Sequence, residues 1–461
     1  MNVTETGIPG LLVVDLPVHG DNRGWFKENW QRDKMVAAGL PDFGPVQNNI
    51  SYNAAVGTTR GFHAEPWDKF VSVASGRIFG AWVDLREGPS FGTVFTIELG
   101  PDRAVFVPRG VGNAYQTLDA DTVYAYLVND HWSPETEYAF LNLADETAGV
   151  DWPIPLADAV LSDKDRAHPL LAEVMPVPPR RTLILGADGQ LGRALRAEFG
   201  DAPHLEYATR ADFDITAPDA RHWRDYGTII NAAAYTAVDA AETAEGRADA
   251  WAVNASGPAE LARIAAKNGI TLVHVSSDYV FDGASDEYDE ESPLSPLGVY
   301  GQSKAAGDLA VQTAPRHYIV RTSWVIGDGG NFVRTMASLA ERGIDPRVVD
   351  DQRGRLTFTS DLARGIRHLL ETRAAYGTYD VTGSGDPAAW SDVAAEVFAL
   401  VGHDPLRVTP VSTHAYSSGA AGPIAPRPRN SVLDLAKIEA TGFVPPDWRK
   451  SLAEYLDHPT I

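Results

Sequence analysis

The stretch Leu183-Ile184-Leu185-Gly186-Ala187-Asp188-Gly189-Gln190-Leu191-Gly192 decides how the C-terminal half is read. Three apolar residues run into glycines spaced three apart, and an Ala-rich segment with helical patterning follows. That order spells strand, tight turn, helix. Glycine lets the backbone come close to a phosphate, and the helix N-terminus supplies free N–H groups and the positive end of a dipole. The spacing alone also fits an ordinary strand–turn–helix, so its meaning depends on what surrounds it. It begins about 180 residues into the chain, which leaves room upstream for a separately folding unit.

The chain has 461 residues, 44% of them hydrophobic, enough for two or more domains with their own cores. No apolar run reaches the length of a membrane span. The opening MNVTETGIPG lacks the basic and apolar regions of a secretory signal. With no cysteine, disulfides, zinc thiolates and cysteine nucleophiles are excluded, and the expected location is the cytoplasm. A net charge of -23 without a compensating Lys/Arg cluster argues against nucleic acid as a partner. An anionic small molecule must then be held by a local site.

Outward from the glycine turn the two halves differ in pattern. Upstream, short apolar or alternating runs (LLVVDLPV, KFVSVASGRIFGAWVDL, TVFTIELG, RAVFVP, TVYAYLV) are separated by Gly and Pro. This predicts an all-β sandwich or barrel, with one helix near residues 31–38. Met175-Pro176-Val177-Pro178-Pro179 reads as a stiff linker. Downstream, strand-like runs at 182–185, 228–233, 271–276 and 317–324 alternate with helical segments at 190–199, 248–267, 297–312 and 332–342. Alternation of that kind predicts βαβ units and a doubly wound parallel sheet of Rossmann type. The expected domains are 1–174, a linker at 175–180, and 181–461 with a smaller substrate-binding portion.

The glycine turn therefore has the strand and helix that a dinucleotide site requires. Past the next expected strand, Thr209 and Arg210 stand where an acidic residue would meet a ribose 2′-hydroxyl. Arg210 suits a 2′-phosphate, which points to NADPH over NADH; a solvated surface arginine is the plainer alternative. Tyr300 and Lys304 are four apart in SPLGVYGQSKAAGDLA, on one face of a helix. An ammonium beside a phenol favours the phenolate and lowers its pKa. Such a pair can protonate a carbonyl oxygen as hydride reaches its carbon, with Ser277 adding a second hydrogen bond. Tyr-x-x-x-Lys also occurs on plain exposed helices, and gains weight here from the turn and from Ser276-Ser277-Asp278.

These stretches, with INAAAYTAVDAAE, HVSSDYVFDG, VRTSWVIG and DDQRGRLTFTSDLA, resemble extended short-chain dehydrogenase/reductases, and among them the dTDP-4-dehydrorhamnose reductases. The resemblance implies that Ser277, Tyr300 and Lys304 carry the reduction, Ser277 replacing the family's usual threonine. It implies that Gly186, Gly189, Gln190, Leu191, Asp214, Ile215 and Ala232, Ala233 and Ala234 line the cofactor, together with Tyr300 and Lys304. Thr236, Val238 and Trp324 would border the sugar. Some members use a glutamate after the third glycine for a magnesium-linked dimer. Arg193-Ala194 supplies no carboxylate, so no metal is expected.

In the first half, Arg60-Gly61-Phe62-His63 stands between strand-like runs. A lone histidine is usually a satisfied, partly buried imidazole. Together with DNRGWF, QNNIS, VDLREGPSFG, FVPRGVGNAYQTL, VYAYL and LSDKDRA, however, it resembles the dTDP-4-dehydrorhamnose 3,5-epimerases, cupin-like jelly rolls, over about residues 7–167. The resemblance implies His63 as base, Asp165 as its partner, Lys69 beside the enolate oxygen and Tyr126 as proton donor on the opposite face. It places Arg23, Phe26, Glu28, Gln47, Asn49, Arg60 and Asn113 around the dTDP-sugar. Asn113 stands where relatives have histidine, Trp132 where they have tyrosine, and Lys164 where arginine is common. The segment has no His-x-His pair, so a metal-cupin is not expected.

The two resemblances together imply a fused enzyme that epimerises dTDP-4-dehydro-6-deoxy-D-glucose and then reduces its C4 ketone with NADPH or NADH, giving dTDP-L-rhamnose. A rival keeps the reductase and gives the first half a single inversion. A non-catalytic regulatory subunit is a third reading, opposed by the intact Ser277, Tyr300 and Lys304. A homodimer through the jelly roll is expected, with no membrane and no nucleic acid.

Overall fold

The computed structural model describes residues 1–132, 138–218, 221–418 and 422–457. It divides into two compact units, Met1–Pro179 and Arg180–Ile461.

The first unit is antiparallel. One sheet of six strands runs in the order Asn2–Glu5, Leu12–Asp15, Arg103–Val107, Lys69–Ser75, Thr122–Val128, Gln47–Asn53. The other has five, in the order Ala139–Phe140, Thr59–Ala64, Val111–Thr117, Ile78–Asp84, Val94–Leu99. This crossing-over of sequence-distant strands is a jelly-roll sandwich, as the short punctuated runs predict. The sheets enclose Val71, Val73, Trp82, Val105 and Tyr124, each less than a tenth exposed. The expected helix is Arg32–Ala37, whose N-cap Gln31 accepts from the Lys34 backbone N–H. The expected linker is partly docked: Val177 N–H donates to the Leu85 carbonyl, and its own carbonyl accepts from Glu87. Proline stiffness there serves a strand-like bridge as well as a connection.

The second unit is built on a six-stranded, all-parallel sheet ordered Leu205–Ala208, Arg181–Leu185, Tyr226–Asn231, Thr271–Val275, His317–Arg321, Gly377–Asp380. The chain steps outward from Arg181–Leu185 to Leu205–Ala208 and then returns to the other side. The switch point, where ligands enter such sheets, thus lies at the C-terminal ends of Arg181–Leu185 and Tyr226–Asn231. Both faces are covered. Leu261, Ala262 and Ala265 of the helix Gly257–Asn268 pack on one, and Leu362, Ile366 and Leu369 of Thr359–Glu371 on the other. The helix expected over 248–267 is instead two helices, Ala244–Trp251 and Gly257–Asn268, joined by a π-helical turn Ala252–Ser256. Asn254 on that turn is the cause we assign: its amide donates to the Tyr235 carbonyl and to Ser303 Oγ and accepts from Tyr235 N–H. No described helix is long and apolar enough to cross a membrane.

Candidate functional site: an imidazole–carboxylate dyad and a nucleotide cleft

His63 lies on the strand Thr59–Ala64, paired with Asn113 on one side and Phe140 on the other. Gly61 permits this course, because it has φ +120° and a Cβ there would stand 2.5 Å from that of Ala114. Asp165 sits on the four-residue helix Asp163–Arg166, capped by Ser162, which accepts from the Asp165 N–H. The two residues, 102 apart in sequence, meet at 3.1 Å between His63 Nε2 and Asp165 Oδ1. Burial pushes the Asp165 carboxyl up, but the His63 and Ser162 hydrogen bonds outweigh it and hold the carboxyl below its usual range. A carboxylate can only accept, so Nε2 carries the proton toward Asp165 and Nδ1 is left as the basic nitrogen.

Lys69 begins the strand Lys69–Ser75 in the opposite sheet, with its Nζ 5.2 Å from the Tyr126 ring and in an ion pair with Glu65. Burial pulls Lys69 down to about 7. Arg60 reaches Asn53, and Gln47 donates to Asn49, on the neighbouring edge strand. Asn113 is buried and donates to Tyr124 Oη at 3.1 Å. Trp132 is exposed, its N–H donating to Gln47. Arg23, Phe26 and Glu28 are placed elsewhere. Arg23 pairs with Asp21 on the exposed hairpin formed by Val18–Asp21 and Gly24–Lys27, and Glu28 pairs with Lys34. Among the described residues, none of the hydrogen bonds, ion pairs or ring contacts of these three reaches the dyad.

One residue here went unread in the sequence. His168 Nε2 lies 3.9 Å from Asp165 Oδ1, and its ring stacks on Phe140 at 4.7 Å. Ligand atoms of His63, Asp165 and His168 fall within 4.8 Å of one another, the one such cluster among the described residues. Its signal in the sequence is a second histidine three residues beyond Asp165, just past the helix that carries it. The cluster is not the His-x-His pattern of a metal cupin.

In the second unit the glycine turn opens onto a cleft of about 240 Å³ at the switch point. Of the residues expected around a cofactor, Gly186, Gly189, Arg210, Asp214, Ile215 and Ala232–Ala234 line it. Gly186 has φ +75°, and a Cβ would lie 2.8 Å from Ala233 N; one on Gly192 would strike the Gly186 carbonyl at 2.1 Å. Without side chains, the turn packs directly against the backbone of Ala233 and of the helix start, beside the cleft. Gln190 instead donates to the Gly330 carbonyl, and Leu191 turns into the core. Arg193 donates to the carbonyls of Asp188 and Asp328, tying a loop to the turn.

Ser277 caps a 3-10 turn, and its Oγ accepts from Tyr279 N–H and donates to Asp278. Tyr300 and Lys304 share one face of the helix Val299–Val311, Lys304 buried and Tyr300 half-buried. Burial, together with Asp278, pushes the Tyr300 phenol up to about 12, while Ser277 within hydrogen-bonding reach works against that. The expected lowering of Tyr300 by Lys304 is not what the structure has. Lys304 Nζ turns to the Val275 carbonyl at 2.7 Å and to His274 at 3.5 Å. Trp324 is half-buried at φ +47°, over Gly354, and stacks on Trp390 at 3.8 Å between centroids. Thr236 and Val238 lie on the loop after Tyr226–Asn231, bonded N–H to carbonyl at 2.9 Å.

Comparison with known proteins accords with both sites. A family model described as dTDP-4-dehydrorhamnose 3,5-epimerase matches residues 5–173, and one described as RmlD substrate binding domain matches 180–461. An RmlC homolog of Streptococcus pyogenes is 49% identical over 38% of this chain and 90% of its own length. A dTDP-4-dehydrorhamnose reductase of Streptomyces griseus is 39% identical over 60% of this chain and 94% of its own. The crystal structure of the Bacillus anthracis dTDP-4-dehydrorhamnose reductase in complex with NADP is 34% identical. It superposes with a TM-score of 0.54 over 60% of this chain and 99% of that one. The single-inversion rival is not favoured by these likenesses. The chain belongs to the dTDP-4-dehydrorhamnose 3,5-epimerase family in its N-terminal half and to the dTDP-4-dehydrorhamnose reductase family in its C-terminal half.

Proposed function

We propose that the two halves act in sequence on one dTDP-sugar: 3,5-epimerisation of dTDP-4-dehydro-6-deoxy-D-glucose, then reduction of its C4 ketone to give dTDP-L-rhamnose. The observation that carries this is the presence, in one chain, of the His63–Asp165 dyad and the Ser277, Tyr300 and Lys304 group. The product of the first site is the substrate of the second.

The C3 and C5 protons are acidified by the C4 ketone between them. His63 Nδ1 removes one while Asp165 fixes the tautomer and stabilises the imidazolium. Lys69 meets the enolate oxygen, and Tyr126 returns a proton to the opposite face. Arg60, Gln47 and Asn49 hold the nucleotide.

For the second step the cleft at Gly186 suits a dinucleotide, because Gly186 and Gly189 line it at the switch point and the helix Gln190–Phe199 starts beside it. NADPH, when bound there, supplies hydride. Arg210, lining the cleft near Asp214, meets a 2′-phosphate, in keeping with the NADP bound by the Bacillus anthracis relative. Tyr300, held as a phenol, donates its proton to the ketone oxygen, and Ser277 orients that oxygen. Trp324, Thr236 and Val238 border the sugar.

We also infer a cytoplasmic homodimer formed through the jelly roll. Support comes from the exposed Phe26 on its hairpin, and from Ile50 and Tyr52 on the edge strand Gln47–Asn53, each 60% exposed or more. The full chain, given the 4-keto sugar and NADPH in deuterated water, should oxidise the cofactor and yield dTDP-L-rhamnose labelled at C3 and C5. No cofactor oxidation, or label at one carbon only, refutes the reading.

A further inference from the structure

The turn that carries Asp165 offers more than a partner for His63. Asp165 Oδ1 lies between two imidazole nitrogens, His63 Nε2 at 3.1 Å and His168 Nε2 at 3.9 Å. The first distance is a hydrogen bond, and the second is too long for one. Both suit ligands of a single ion, because donors bonded at about 2.0–2.1 Å to a tetrahedral ion stand roughly 3.3–3.4 Å apart. The three ligand atoms fall within 4.8 Å of one another, and rotation of the two rings closes the set.

The supports are local and already in place. Ser162 Oγ accepts from the Asp165 N–H. The Asn142 side-chain amide donates to the carbonyls of Arg166 and His168, and its backbone N–H to that of Pro169. The His168 ring lies on Phe140. Its Nδ1 is buried without a hydrogen bond, and the carbonyls of Leu141 and Gly61 stand beside the ring. A histidine that ligates through Nε2 gives its other N–H to such an acceptor. The side chains of Asp165 and His168 are 9% and 10% exposed, whereas that of His63 is 37% exposed, which leaves a way in for an ion and a fourth position for water. Two imidazole nitrogens and one carboxylate oxygen select Zn2+ and similar transition-metal ions over Mg2+ and Ca2+. We propose that His63, Asp165 and His168 form a Zn2+-class site whose occupation switches the dyad off.

The effect follows from the tautomer. In the metal-free dyad the one proton of neutral His63 is on Nε2, against Asp165, and Nδ1 is bare. An ion on Nε2 needs the lone pair there, so that proton leaves to water. Nδ1 then takes one up from water, and the ring stays neutral. With Nδ1 now an N–H donor, it has no lone pair for a C–H proton. Asp165, bonded to the ion, no longer stabilises an imidazolium. The site is thus the reverse of a metal-cupin centre, since its ion blocks the proton transfer it sits beside.

The inhibition rests on the epimerase reading and the binding does not, so the two are measured apart. The full chain, freed of metal with a chelator, is titrated with Co2+, whose visible d–d bands intensify when it is four-coordinate. The parent should take up Co2+ with those bands, and His168→Gln should need at least about tenfold more of it. Solvent-proton exchange at C3 and C5 of the 4-keto sugar is then followed with and without Zn2+, each protein against its own metal-free rate. Saturating Zn2+ should cut the parent's exchange by about a hundredfold or more, the share of a general base, and Mg2+ should leave it unchanged. His168→Gln should need at least about tenfold more Zn2+ for the same loss. A parent that takes up no Co2+, or a parent and variant that respond alike to both ions, overturns the proposal. If His168→Gln fails to fold, spectra of the 15N-histidine-labelled parent with Zn2+ decide: two imidazoles ligated through Nε2 support the site, and fewer overturn it. A parent that binds Co2+ with these bands yet exchanges no protons without metal refutes the epimerase reading and leaves the site standing.

Discussion

The two halves build their sites by opposite means. The jelly roll gathers His63, Lys69, Tyr126 and Asp165 from both sheets and a distant turn, and its dyad joins residues 102 apart. The parallel sheet sets its groups at strand ends in short range, with Ser277, Tyr300 and Lys304 within one strand–turn–helix passage. A sandwich makes its interior from alternate residues of many strands, whereas a doubly wound sheet delivers its loops to one edge. The first kind of site depends on the whole fold, and the second on a local motif with a cleft beside it.

The sharpest break between the halves should come from one substitution in each. His63→Asn should lower solvent-proton exchange at C3 and C5 by about a thousandfold, and Tyr300→Phe should lower ketone reduction by a similar factor. Each should leave the other activity near the parent's when assayed with its own substrate. If His63→Asn also slowed reduction of pre-epimerised sugar, the separation of roles would fail. Asp165→Asn should cost the first step about a hundredfold, since an amide no longer fixes the imidazole tautomer; unchanged exchange kinetics would remove Asp165 from the mechanism. Arg210→Ala should raise the KM for NADPH about tenfold and leave that for NADH alone, the scale of one lost charge-assisted hydrogen bond. Equal effects on both cofactors would place Arg210 away from the 2′-phosphate. The mildest change is Ser277→Thr, which keeps the hydroxyl and should alter turnover less than about threefold, whereas Ser277→Ala should lose about tenfold.

The same contrast explains what could be read from the chain beforehand. The glycine turn and Tyr300/Lys304 declare themselves by spacing, because backbone closeness and helical facing are local requirements. His63 and Asp165 carry no such spacing, and only family resemblance joined them. His168 and His274 escaped notice for the same reason: a single histidine has no pattern until its neighbours are known. The strand Gly377–Asp380 has no signal in the sequence because its buried Asp380 interrupts the apolar run, whereas the strand expected just before Thr209 is Leu205–Ala208. Spacing puts Tyr300 and Lys304 on one helix face, but a buried lysine turns to the acceptor within its reach, here the Val275 carbonyl at 2.7 Å.

Trp324 holds a backbone conformation, at φ +47°, that costs an L residue about 1–3 kcal/mol, and it is kept there by its stack on Trp390 over Gly354. Glycine at this position would release that strain while deleting the indole, so its two effects on folding oppose each other. Any other residue keeps the strain and loses the stack, so by abundance alone glycine should be the best tolerated change at Trp324. On the proposed reading of Trp324 as a neighbour of the sugar, the same glycine variant should lose reductase turnover.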